Sequence, residues 1–526
     1  MVLNQLTKYV FISGLSAILA GCGGPSVNIL QEDETRLKTG GDLAQYHYLV
    51  KEPYSVGLSH EGYIIGIEKS PRASIGNPYI KSYDTCRFRE WKIKDHPKES
   101  KAHTEARNDQ FDRINDDDKS MFVSHILSYD LDISRGARFK VSPLYCGYEN
   151  SGFAKTKKKI EQAKEKPEQE VDRCVSEGSL QAGGDQDVPT SYYEKGWAAL
   201  DKLSGDIRAK LLQAKDERYT RIIVAAMGWN NNQVETVRRY NALMGNIVAQ
   251  AKKADAKTFK PLIIGLTWPS VWGGESYFNI LNSLYHVVSY PNKTADSDEI
   301  GYTIANILIN KILQELKSEY DLKIVLIGHS LGARMMSRAM FSAHLINDTS
   351  KETNDPPKTA ADLFIGLQGA FSVRRFKDDF QLPFPMSFFK KGEGSPYLLK
   401  SGNPGQVVLT WADDDKANPI ARWITGAAHA GAKAGYKESK IIGDKFYQLK
   451  WDVPIDGQCE TPRKRMNGKD LTNIGINRVL MVDADEIVND HNDILDPEMG
   501  RLIWESISIF TMGSLGCRSG FVDMER

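Results

Sequence analysis

From about residue 190 the chain alternates between short, nearly unbroken apolar runs and longer stretches whose apolar residues recur at helical spacing. Six runs stand out: Arg221–Met227, Pro261–Trp268, Lys323–Ile327, Asp362–Leu367, Gln406–Trp411 and Arg478–Val482. A strand that alternates apolar and polar residues has one wet face, whereas an unbroken apolar strand is buried on both, as in a parallel sheet covered by helices. Between the runs, Val234–Lys252 and Ile300–Leu316 carry apolar residues on one helical face. The pattern predicts an α/β domain over residues 189–526, a mostly parallel sheet flanked by helices. Residues 23–188 read differently, as an accessory region that is partly β. Gly62–Ile67 and Phe122–Leu127 are strand-like, while Lys101–Ser120 is almost devoid of apolar residues. Ala154–Glu170 is dominated by Lys and Glu, as an exposed helix or linker would be, and Gly183-Gly184-Asp185 breaks the chain.

Residues 1–22 have the pattern of a secretory signal. Lys8 precedes the apolar stretch Tyr9–Ala20, which is too short to span a bilayer, and Leu19-Ala20-Gly21-Cys22 follows. That tetrapeptide resembles the bacterial lipobox. The resemblance implies a diacylglyceryl anchor on Cys22 and, with Gly23 rather than Asp next, an outer-membrane destination in the cell envelope. Lys+Arg and Asp+Glu both number 68, so there is no basic excess to recruit nucleic acid. The remaining cysteines, Cys86, Cys146, Cys174, Cys459 and Cys517, form no C-x-x-C pair. They allow up to two disulfides with one thiol left over.

The chemistry begins at Gly328-His329-Ser330-Leu331-Gly332. This G-x-S-x-G directly follows the run Ile324–Ile327 and directly precedes a helical stretch, Ala333–Leu345. Strand, sharp turn and helix are what a nucleophile elbow requires: small neighbours two residues either side, and a helix N-terminus favouring developing negative charge. Ser330 is the candidate nucleophile. A serine hydroxyl needs a general base, and the base needs a carboxylate to orient it. Three histidines follow Ser330. His344 falls inside the helix after the elbow, and His429 has no strand directly before it. His491 follows the last apolar run by a short loop and precedes the helical stretch Pro497–Phe510, so it is the candidate base. The loop after Gln406–Trp411 contains Asp413, Asp414 and Asp415. Three adjacent aspartates cannot all be buried. Asp415 is favoured from its spacing to Pro419, with Asp413 and Asp414 left open.

The segment Tyr219–Phe510 resembles the α/β-hydrolase superfamily, in particular a poorly characterised bacterial lineage. The resemblance rests on Met227-Gly228-Trp229-Asn230 after the first core strand, Trp268-Pro269 after the second, the elbow, and Asp414-Asp415-Lys416-Ala417. Met227 stands where that lineage carries histidine. Acyl transfer needs two backbone N–H donors for the oxyanion, and the expected pair is Leu331 and Trp229.

Aromatic residues crowd Trp272–Tyr290 and Phe371–Tyr397, which predicts either a cap over the site or packing against the accessory region. The acidic cluster Asp483, Asp485, Glu486, Asp490, Asp493 and Asp496 lacks the spacing of a calcium loop and reads as a solvated turn. The expectation is therefore a membrane-anchored serine hydrolase of carboxylic or lipid esters, needing no cofactor and no metal. The alternative is a non-catalytic envelope lipoprotein that uses a hydrolase-like domain for binding.

Overall fold

Each of the six apolar runs forms a strand, and each is buried on both faces because alternate residues serve opposite cores. In the computed structural model the described residues are 57–69, 121–132, 138–146, 190–212, 219–229, 231, 233–270, 293–294, 296–343, 359–376, 397, 405–413, 428–453, 466, 468–475, 478–513 and 519–524. The strands are β1 (Gly62–Lys69), β2 (Met121–Asp132), β3 (Arg138–Cys146), β4 (Arg221–Ala226), β5 (Pro261–Thr267), β6 (Lys323–His329), β7 (Leu363–Leu367), β8 (Gln406–Trp411), β9 (Phe446–Trp451), β10 (Val479–Asp483) and β11 (Phe521–Asp523). They make an 11-stranded sheet among the described residues, in the order β11-β9-β10-β8-β7-β6-β4-β5-β1-β2-β3. From β1 through β5, β4, β6, β7, β8 and β10 to β9 every pairing is parallel.

Helices cover both faces. They are α1 (Thr190–Leu212), α2 (Gln233–Lys253), α3 (Ile304–Ile307, continued by a π-helical stretch Leu308–Leu313 and by Gln314–Glu319), α4 (Leu331–Met340), α5 (Lys433–Ile442), α6 (Gly468–Gly475) and α7 (Pro497–Ile507). On one side Ile222, Val224, Ile264, Ile324 and Leu326 meet α1, α3 and α4. On the other, Ile223, Ala225, Ile263, Val325 and Ile327 meet α2 and α7. Helix α2 shows why: Val237, Tyr240, Met244, Ile247 and Ala251 lie on one stripe and are all buried. Strand β4 between β5 and β6, with the sharp turn after β6, gives the core its α/β-hydrolase fold.

The strands of the 23–188 segment belong to this same sheet. β1 pairs in parallel with β5, from Gly62 opposite Ile263 to Gly66 opposite Thr267. β2 and β3 then extend the edge as antiparallel neighbours. Three strands, β3, β9 and β11, have no counterpart among the predicted runs; β3 carries Arg138, Lys140, Ser142 and Pro143 among its apolar residues. β9 is flanked by polar residues and β11 is only three residues long, too short to show a period. Residues 101–120 and 154–170, Cys22, Cys86, Cys174, Cys459 and Cys517 lie outside the described residues. No helix among the described residues is long and apolar enough to cross a membrane.

The opposite edge is fastened by a buried acid. The Glu505 carboxylate on α7 accepts from the Gly520 N–H at 2.7 Å and from the Trp451 indole at 3.3 Å, tying the start of β11 to the end of β9. Burial pushes the Glu505 carboxyl up to about 7, against the opposing pull of the Gly520 N–H, Arg501 and Trp451. A carboxyl raised above its unfolded value stabilises the fold in its protonated form, and that contribution is lost as pH rises through the folded value. Relative to Glu505→Gln, the wild type should lose on the order of 3 kcal/mol between about pH 4 and pH 8. Urea unfolding across that range checks this, and a pH-independent difference between the two proteins would contradict it.

Candidate active site

Ser330 sits between the end of β6 and the start of α4 with φ 54° and ψ −119°. A left-handed φ on a residue with a side chain costs on the order of 1–3 kcal/mol and persists only where the surroundings enforce it. Here they do. The Ser330 N–H donates to the Leu367 carbonyl at 3.0 Å, and the Ser330 carbonyl accepts from Ala370 N–H at 3.1 Å. Leu367 is the last residue of the neighbouring strand β7 and Ala370 lies in the turn after it. The Ser330 carbonyl also accepts from Ala333 and Arg334, which starts α4. A β-carbon at Gly332 would lie 2.1 Å from the Ala226 carbonyl oxygen, and one at Gly228 would lie 2.5 Å from the Ser330 Cβ. The helix start and the turn after β4 are therefore pressed against the serine, whose side chain is buried.

That turn is held from two sides. The Trp268 indole donates to the Met227 carbonyl at 2.9 Å. The Asn231 side-chain amide donates to the Gly228 and Trp229 carbonyls, both at 3.1 Å, while Asn231 exchanges backbone hydrogen bonds with the Ser270 hydroxyl at 3.0 and 2.8 Å. In a trans peptide the C=O and N–H point in opposite directions. Holding the Gly228 carbonyl on Asn231 thus fixes where the Trp229 N–H points. The Leu331 N–H is in the first turn of α4, where donors have no acceptor within the helix. That helix start is pinned by the Ser297 hydroxyl, which donates to the Leu331 carbonyl at 2.7 Å. The Met227 side chain continues the apolar face of β4 into the core beneath α2, so its identity bears on packing and not on the direction of the turn's N–H groups.

The candidate base lies beside the elbow. The His491 ring centroid is 4.6 Å from that of His329, the residue before the serine. His329 Nε2 donates to the His491 backbone carbonyl at 3.0 Å. That bond requires the Nε2–H tautomer. Burial, reinforced by His491 and Arg239 nearby, holds the His329 imidazole well below its usual pKa and hence neutral. The His491 loop is drawn in by its own acids: Asp493 accepts from the N–H groups of Asn489 (2.7 Å) and Asp490 (2.8 Å), and Asp490 accepts from that of His491 (2.7 Å). Helix α2 holds the same loop through Arg239 to Asn492 (2.8 Å) and Asn246 to the Leu495 carbonyl (2.7 Å). His429 is fully buried in a bridge to Ser372, and His344 lies outside the described residues.

Of the three candidate acids, Asp413 is described, and its carboxylate is paired with Lys433. Its backbone N–H donates to Asp485, which joins the end of β8 to the turn after β10. Asp414 and Asp415 lie outside the described residues, as does most of both aromatic stretches. The acidic cluster caps its own turns, and among the described residues no three His, Cys, Asp or Glu side chains gather as metal ligands would.

A second group behind the elbow was not anticipated from the sequence. Asp298 meets Arg334 at 2.5 Å and Arg375 at 3.0 Å, with Arg338 at 3.6 Å, all of them buried. Burial opposes the charge, but Arg334, Arg375 and Arg338 outweigh it and hold the Asp298 carboxyl well below the usual range. Arg334 and Arg338 are one turn apart on α4, so the cluster fixes the helix that begins directly after Ser330. His329 and Asn231 were also missed. The signal for both was present: a polar side chain inside an elbow motif, and the second of three consecutive asparagines beside Trp229.

No protein-family model matches the chain, and no curated protein matches it. Among solved structures it is similar to a thermophilic esterase from the Planctomycetes species Thermogutta terrifontis, at 10% identity and TM-score 0.27 over 57% of this chain and 85% of that one. The butyrate-bound form of that esterase gives 9% identity, TM-score 0.26 and 86% of its chain. A prolyl endopeptidase gives 10% identity and TM-score 0.26 over 57% of this chain and 35% of that one. At this distance the likenesses carry no weight, and the fold rests on strand order and elbow geometry.

Replacing Asn231 by Ala removes the donor that holds two carbonyls of the turn. The rate at which a fluorophosphonate modifies Ser330 should fall at least roughly 10-fold, because misdirected oxyanion donors lose much of their value. Labelling at the wild-type rate in a folded Asn231→Ala protein would contradict this role.

Proposed function

We propose that the protein is a serine hydrolase that cleaves carboxylic esters through an acyl-enzyme. The observation that carries this reading is Ser330, held at φ 54° on the strand-to-helix turn, with the His491 ring against that of His329, the residue before it. In this reading the Ser330 Oγ attacks the ester carbonyl and its proton passes to the His491 imidazole. The Leu331 and Trp229 N–H groups stabilise the oxyanion. Collapse expels the alcohol, which takes the proton from His491. Water, deprotonated by the same imidazole, then releases the acid and restores Ser330. Asp415 is proposed as the carboxylate that orients His491. No step calls for a cofactor or metal.

The lipobox-like Cys22 supports a lipid-anchored location in a bacterial envelope, most simply the outer membrane, where lipid esters are at hand. Lipase or phospholipase-like action is the proposed specificity. Cys22→Ser should abolish incorporation of radiolabelled palmitate in a bacterial host, and undiminished incorporation would contradict the anchor.

Hydrolysis of p-nitrophenyl esters from acetate to palmitate tests the reaction. Ser330→Ala and His491→Ala should each lower kcat by at least roughly 10³-fold with thermal unfolding little changed. A folded wild type that hydrolyses none of them would favour the non-catalytic reading.

A further inference from the structure

We propose that His125, on the N-terminal strand β2, is a positioning residue for the oxyanion turn, acting through Gln233 at the start of α2. The inference rests on the hydrolase reading above and assigns part of the N-terminal segment a place in its machinery.

The geometry is built from both sides. Gly66 of β1 lies opposite His125 of β2, at a bulge between Gly66 and Ile67. A β-carbon on Gly66 would fall 1.9 Å from the His125 Cε1, so the imidazole occupies the space the glycine leaves. His125 is fully buried there, and Gln233 is 2% exposed. The Gln233 Nε2 lies 2.7 Å from His125 Nε2 and donates to the Thr267 hydroxyl at 3.2 Å. His125 Nδ1 lies 2.9 Å from the Ser124 hydroxyl. The outer ends are backbone carbonyls: Ser124 Oγ donates to Gly66 at 3.2 Å and Thr267 Oγ1 to Ile65 at 3.3 Å.

One proton arrangement satisfies every bond. The two hydrogens of the Gln233 amide go to His125 Nε2 and Thr267 Oγ1. His125 then carries its proton on Nδ1 and gives it to Ser124 Oγ, and both hydroxyls donate to strand β1. Burial drives the His125 imidazole down to about 3, so this neutral tautomer is unchanged across the physiological range.

Gln233 is the first residue of α2, and the turn that presents Trp229 N–H ends two residues before it at Asn231. Thr267 is the last residue of β5, followed at once by Trp268 and, two residues later, by Ser270, which grip the same turn. Severing the amide from His125 frees the helix start that anchors the turn's exit. Removing one member of a buried polar network costs the fold the desolvation of the partners left behind, whereas a small displacement of an oxyanion donor costs catalysis far more.

The test uses the full-length chain with p-nitrophenyl butyrate and a fluorophosphonate. His125→Phe keeps a ring over Gly66 without nitrogens, Gln233→Met severs the relay from the other end, and His125→Gln restores an acceptor and a donor. The first two should lower kcat roughly 10–100-fold with KM within about twofold and the thermal midpoint lowered by only a few degrees, while His125→Gln recovers most of the loss in both. Folded His125→Phe and Gln233→Met proteins with wild-type kcat and labelling would overturn the proposal. Should neither variant fold, nitrogen NMR of the wild-type histidines decides: an Nδ1–H ring that does not titrate upholds the relay, and an Nε2–H ring overturns it. A wild type that neither hydrolyses nor labels would instead sink the hydrolase reading itself.

Discussion

The turn after β4 and the turn after β6 touch, and they do so because neither carries a β-carbon at the point of approach. A side chain at Gly332 would overlap the Ala226 carbonyl, and one at Gly228 would overlap the Ser330 side chain. With those positions empty, β4 and β6 can lie as parallel neighbours right up to their ends, Ala226 opposite Gly328. The close approach puts the serine, the start of α4 and the Gly228–Trp229 peptide within one small volume. The backbone strain at Ser330 is sustained by hydrogen bonds to β7 on the other side. Ser330 is therefore fixed by three adjacent strands and not by its own turn alone.

Helix α2 extends that constraint to the rest of the site. Its first residue, Gln233, bonds His125 and Thr267, and Arg239 and Asn246 hold the loop that carries His491. Its apolar stripe packs on the sheet, and the Tyr240 hydroxyl reaches the Ala225 and Leu266 carbonyls on two strands. On the other face, Asp298 gathers three arginines around α4. Breaking such a buried group by removing its acid is worth on the order of 3–5 kcal/mol. One helix thus packs behind the Gly228–Asn231 turn and holds the His491 loop, and one ion cluster holds α4 behind Ser330.

The core was legible in the sequence where physics leaves a strong local trace. Six buried strands show as apolar runs because both of their faces are covered, and Gly328, Ser330 and Gly332 show because the turn excludes any larger neighbours. What was not legible depends on partners far along the chain. Strands β9 and β11 form at an edge where pairing decides the conformation, not a local period. β1 and β2 were read as strands, but nothing in a single run says which sheet it will join. His329, Asn231 and Asp298 are ordinary polar residues until the fold brings them against a carbonyl or an arginine. Asp415 remains an inference from spacing, since the loop that carries it lies outside the described residues.

The most direct measurement is peptide mapping of the full-length protein after reaction with a fluorophosphonate. The account predicts a single covalent adduct, on the peptide containing Ser330, that is absent when His491 is replaced by Ala. A folded protein that forms no adduct, or forms one on a different serine, would contradict it.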